Sequence, residues 1–121
     1  MNAKIMRQNG VSVAVLQSET PLITNVQSAL DLAMTARYET GCDRVALNKG
    51  AVCEDFFVLS TRLAGEVLQK FINYQIKFAI YGDFSGYTSK PLRDFIRESN
   101  RGHDIFFTET AEQAVDRLSA V

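Results

Sequence analysis

Arg44-Val-Ala-Leu-Asn48, Cys53 to Asn73, and Ile76-Lys-Phe-Ala-Ile-Tyr81 read as strand, long helix, strand. This stretch, closing at Asp83, decides the fold. Ile76–Tyr81 is almost wholly apolar, as a strand covered on both faces should be. Val45, Ala46 and Leu47 make a shorter buried strand, ended by Asn48-Lys49-Gly50. Between the two, Phe56, Leu59, Leu63 and Val67 recur at helical spacing, with Phe57, Ala64, Leu68, Phe71 and Ile72 beside them. Arg62 and Glu66 stand four apart on the expected wet face, where an ion pair adds only a few tenths of a kcal/mol.

Working towards the N-terminus, Asn9-Gly10 favours the positive φ values of a type I′ turn. It joins Lys4–Gln8 to Val11–Gln17 as a hairpin, with Lys4–Gln8 at the sheet edge. After Thr20-Pro21 a first helix starts near Thr24, where Thr24 and Gln27 fit a capping box. Its apolar stripe is Val26, Ala29, Leu30, Ala33 and Met34, and Gly41 is a natural stop. Towards the C-terminus, Gly82-Asp-Phe-Ser-Gly-Tyr-Thr-Ser-Lys90 is the longest turn-forming stretch. A helix follows with Pro91 in its first turn and Leu92, Phe95 and Ile96 inward. Asp104–Thr108 is the last strand. Thr110 and Gln113 cap a last helix that buries Ala114, Val115 and Leu118. The order is ββαβαβαβα: an α/β fold, one domain over residues 1–121, with a mixed sheet whose later strands are parallel through right-handed crossovers.

The bulk composition limits the functions available. At 121 residues, 46% apolar and net charge −1, the chain has no basic stripe for nucleic acid and nothing to draw it to an anionic membrane. No apolar run approaches the ~20 residues a membrane helix needs, and Met1–Gly10 has no apolar core of a signal peptide. Cys42 and Cys53 have no metal spacing, so two reduced thiols in a cytoplasmic protein are expected. No residue pattern demands a cofactor.

Two turns are candidate working surfaces because both lie at the carboxyl ends of adjacent strands, where open α/β sheets bind ligands. One is Asn48 to Asp55, with Lys49, Glu54 and Asp55. Its adjacent carboxylates also suit the first turn of a helix for dipole reasons alone. The other is Gly82 to Lys90, with Asp83, Phe84, Ser85, Tyr87 and Lys90, and Arg93 just beyond. It does not match a P-loop, and a surface turn with a Thr88 or Ser89 cap is the plainer alternative. Phe84 and Tyr87 either meet a partner or fold back over the helix end. Cys53 near a helix N-terminus suggests a nucleophile, but His103, the only histidine, falls at the opposite end of the sheet.

The succession of elements from Arg44 to Leu118 resembles a STAS domain, the fold of anti-sigma-factor antagonists. In that family the turn opening the long helix carries a phosphorylated serine or threonine. The matching turn here, Cys53-Glu54-Asp55-Phe56-Phe57, has the acidic residue and no hydroxyl. Arg37-Tyr-Glu-Thr-Gly-Cys-Asp43, Cys53-Glu-Asp-Phe-Phe57, Leu63–Phe71, Gly82–Lys90 and Leu92-Arg-Asp-Phe-Ile96 are similar to a family of small, mainly bacterial proteins, domain-of-unknown-function family 4180.

The leading expectation is therefore a non-catalytic, STAS-like regulatory or binding module. It would dock a protein partner or small ligand through Asn48–Phe57 and Gly82–Lys90. The alternative is a small enzyme acting on an anionic metabolite, with Asp83 or Asp55 as base and Lys90 or Arg93 as anion clamp. Self-association through Lys4–Gln8 or around Leu59 and Leu63, as a homodimer, is a third.

Overall fold

The structure, a computed structural model, describes residues 3–121. Met1 and Asn2, the start of the stretch read for a leader, lie outside the described residues. One five-stranded sheet runs in sequence order: β1 (Ala3–Gln8), β2 (Val11–Leu16), β3 (Arg44–Asn48), β4 (Lys77–Tyr81) and β5 (Ile105–Thr108). β1 and β2 are antiparallel and all later pairs are parallel. The hairpin turn is as expected: Asn9 and Gly10 both take positive φ, 55° and 77°, and Gln8 pairs with Val11.

When successive parallel neighbours are joined by crossovers of one hand, the connecting helices fall on one face. Accordingly α1 (Val26–Thr40), α2 (Leu63–Asn73) and α3 (Lys90–Arg101) share a core with Leu16, Val45, Leu47, Phe78, Ile80 and Phe107. Phe71 meets Phe78 edge-on at 5.0 Å across that layer. The alternate strand residues Val13, Ala46, Ala79 and Phe106 face the other way, against Ala114, Val115 and Leu118 of α4 (Ala111–Ser119). Two central alanines leave room for a single helix to lie close across the sheet. The Thr110–Gln113 capping box is formed in both directions.

α1 begins one residue later than expected. Asn25, as good a cap as threonine, is the N-cap, and its box partner is Ser28. The Ser28 hydroxyl accepts from the Thr24 and Asn25 amides at 2.9 and 3.0 Å, while Gln27 turns to Asp31 at 2.8 Å. Gly41, at φ 75°, closes the helix as predicted.

The larger correction concerns the long helix. It does not run from Cys53. Three short 3-10 turns (Lys49–Ala51, Glu54–Phe57, Leu59–Thr61) precede α2, which starts at Leu63. The cause is a second ladder. The Ala51 carbonyl accepts from Leu22 and Ile23 at 2.7 and 3.0 Å, and the Cys53 amide donates to Ile23 at 2.9 Å, so Val52 and Cys53 stay extended. Arg62 then takes φ 66°, a left-handed conformation no helix continues through. Over one turn, apolar residues three apart fit a 3-10 and an α-helix equally, which is why the pattern overshot. Arg62 consequently caps the helix through its carbonyl. Among the described residues no ion pair joins it to Glu66.

Candidate functional site

The parallel strands end together at Leu16, Asn48, Tyr81 and Thr108, so the segments after β3 and β4 share one rim. The Asn48 side chain turns back to the end of β2. Its amide donates to the Ser18 carbonyl at 2.7 Å and its carbonyl accepts from the Ser18 amide at 2.9 Å. That frees Lys49 to reach along the rim. Lys49 Nζ donates to the Asp83 carbonyl at 2.9 Å and sits 4.5 Å from the Tyr87 ring centroid and 5.9 Å from that of Phe84. Gly82 permits this approach: a Cβ there would lie 2.8 Å from Lys49 Cβ.

A second tie joins the two segments. The Tyr87 hydroxyl lies 3.1 Å from both carboxylate oxygens of Glu54. Beneath it, Tyr87 stacks on Phe57 at 5.0 Å, and Phe84 meets Phe107 edge-on at 5.5 Å. Phe84 and Tyr87 are thus half-buried and pack on the core while part of each stays at the surface. Burial first, then the hydrogen bond to Glu54, pushes the Tyr87 phenol up to about 12.

A phenol raised in the folded state binds its proton more tightly there than in the unfolded chain. Its contribution to stability is complete below the ordinary value near 10 and is lost as pH rises towards about 12. Tyr87→Phe is therefore expected to remove the latest-titrating component of the phenolate absorbance. It should also flatten the fall of the urea midpoint with pH in that alkaline window. An unchanged titration curve would place the raised phenol elsewhere.

Asp83 is exposed, and its carboxylate accepts from the Ser85 amide at 2.9 Å. Hydrogen bonds from Ser85, with Lys49 nearby, hold its carboxyl below the ordinary aspartate range. At neutral pH it is an anion with little appetite for a proton, which disfavours it as a general base. Glu54 and Asp55 do not lie in the first turn of α2, as the dipole reading required, but in the 3-10 turn Glu54–Phe57. Asp55 is exposed, as is Ser85. Ser89 occupies the N-cap position of α3 without a side-chain cap bond, and Lys90 pairs with Asp94 at 2.6 Å. Arg93 is exposed and, among the described residues, has no ion-pair partner. Cys42 is buried and Cys53 half-buried; both are free thiols. His103 lies before β5 at the amino end, its carbonyl accepting from Lys77 at 2.8 Å, away from Cys53 and Ser85.

The family described as Domain of unknown function (DUF4180) matches residues 8–118. The chain belongs to the DUF4180 family. No curated protein and no solved structure matches it. In this DUF4180 protein the matched span contains both rim segments, α1 to α3 and all of α4 but its last residue. Among its described residues no helix is long and apolar enough to cross a membrane.

Two grooves flank the Phe84–Ser85 ridge of this DUF4180 domain. One, of about 540 Å³, runs towards α4 past Thr108, Glu109 and Asp116; the other, of about 600 Å³, runs along α3 past Arg93, Arg97 and Arg101. Of these side chains only Arg93 was singled out from sequence. The spacing of Arg93, Arg97 and Arg101, four apart, was the available signal. Charged residues at that spacing equally describe a solvated helix face.

Proposed function

We propose that this protein is a non-catalytic binding or regulatory module whose rim docks a protein partner or a small ligand. The observation that carries the reading is the pair of ties, Lys49 to Asp83 and Tyr87 to Glu54, which fix two segments more than thirty residues apart into one surface. A surface held by packed aromatics and paired polar groups loses little entropy on binding. The STAS-like form of this reading is supported by the order of elements. With Asp55-Phe56-Phe57 where that family carries its hydroxyl, regulation here would run through occupancy of the rim and not through that phosphorylation.

Asp55→Arg and Ser85→Trp alter exposed rim positions, where substitutions shift stability by about 0.5 kcal/mol or less. Affinity capture and a metabolite-library thermal-shift screen with the wild-type chain should each be repeated with these variants, followed by turnover assays on any hit. Loss of the hit with an unchanged urea midpoint is the expected result. Undiminished binding by both variants would remove the rim from the account, and consumption of the hit would replace the module with an enzyme.

A further inference from the structure

The two grooves that meet at Phe84 and Ser85 carry opposite charge. The groove towards α4 presents Asp83, Glu109 and Asp116; its one arginine, Arg117, donates to the Asn100 carbonyl and lies 4.5 Å from the Phe106 ring. The groove along α3 presents Arg93, Arg97 and Arg101 and no carboxylate. In a chain of net charge −1 this segregation is a local arrangement, not a reflection of bulk composition.

Residues four apart project from one side of a helix, so the three arginines form a row about 12 Å long. Arg97 and Arg101 pair with Asp94 and Glu98, which stand outside the groove lining; the two arginine side chains remain 58% and 69% exposed. Pairs this exposed contribute little and yield readily to a better anion. Besides the arginines the lining is Ile96 and the accessible parts of Phe84 and Tyr87, together with Ser85 and Asn100. The volume falls within the range of small-molecule sites.

We propose that this groove binds a small organic anion. Its phosphate or carboxylate head would be held by Arg93 and Arg97, and its apolar or aromatic body would lie against Ile96, Phe84 and Tyr87. The guanidinium fork suits either oxyanion in a bidentate geometry. The neighbouring carboxylates repel the same head from the other side of the ridge and so fix which groove it enters. The inference rests on the rim being a binding surface, and adds the class of ligand.

The probes are phenyl phosphate, phenylacetate and inorganic phosphate, titrated into the isotope-labelled full chain and followed by amide shifts. Phenyl phosphate should move amides of residues 84–87 and 93–101 and bind about tenfold or more tighter than inorganic phosphate, because its ring is buried. Arg93→Glu should weaken it about tenfold or more, while Arg7→Glu, on β1, changes nothing. Tighter binding by phenyl phosphate than by phenylacetate assigns the head as phosphate, and the reverse assigns carboxylate; both support the site. Absence of shifts at millimolar probe, equal sensitivity to Arg7→Glu, or stronger binding by a hexaglutamate peptide would each overturn it. If the probes fail while Asp55→Arg and Ser85→Trp still abolish capture, the ligand class falls and the rim reading stands.

Discussion

Phe57→Ala is expected to cost about 3–5 kcal/mol of folding stability, the range for emptying a buried aromatic position. Phe57 is only 5% exposed and sits where core and rim meet. Its ring is edge-on to Phe56 at 5.2 Å on one side, and it supports Tyr87 at 5.0 Å and Phe84 at 6.0 Å on the other. Deleting it leaves a cavity and also removes the platform that keeps the Tyr87 phenol desolvated and aimed at Glu54. The urea midpoint should fall sharply with the slope unchanged, and the Tyr87 phenol should return towards the ordinary range. Phe57→Leu keeps more of the volume and should lose less. A shift in stability below about 1 kcal/mol for the alanine variant would show that Tyr87 and Phe84 close over the gap unaided.

Asn100→Ala is the second change with a large expected effect. The parallel ladder turns the carbonyls of Asp104 and Thr108 towards β4, which leaves Phe107 facing outward from the edge. Asn100 answers both of its backbone groups: its carbonyl accepts from the Phe107 amide at 2.8 Å, and its amide donates to the Phe107 carbonyl at 3.2 Å. Phe107 is itself buried, so removing the carboxamide strands two polar groups in a partly desolvated place, at a cost of about 1–3 kcal/mol. Asn100→Asp keeps the acceptor but sets a carboxylate against the Phe107 carbonyl, and should not rescue. The direct measurement is hydrogen exchange at the Phe107 amide, which should quicken in Asn100→Ala and stay unchanged in the exposed control Asn73→Ala. Equal protection in both variants would rule out the side chain as the guard.

Features with local causes were legible from residues alone. Asn9-Gly10, Gly41 and the Thr110–Gln113 box each act within a few positions; the turn marked the two strands it joins, and unbroken apolarity marked β3 and β4. The start of α2 was not legible, because what keeps Val52 and Cys53 extended is Ile23, some thirty residues earlier. The same holds for the site. Topology placed both segments at the carboxyl rim, but nothing local says that Lys49 will reach Asp83 or that Tyr87 will reach Glu54. Gly82 hinted at a close approach without naming what approaches. The arginine row on α3 was visible as spacing and became a groove only once the Phe84–Tyr87 turn stood opposite it.

Asn100 also gives the sheet a direction of growth. Where its carboxamide occupies the outer margin of β5, it takes the place that a strand from another chain would fill at Phe107. The opposite margin, β1, carries exposed Lys4, Ile5 and Arg7 along an edge that, among the described residues, has no strand beyond it. Lysine and arginine on an edge discourage indiscriminate pairing. The sheet is guarded by geometry at one margin and by charge at the other, so a strand added from outside would join at β1, at the margin of the sheet opposite the grooved strand β5.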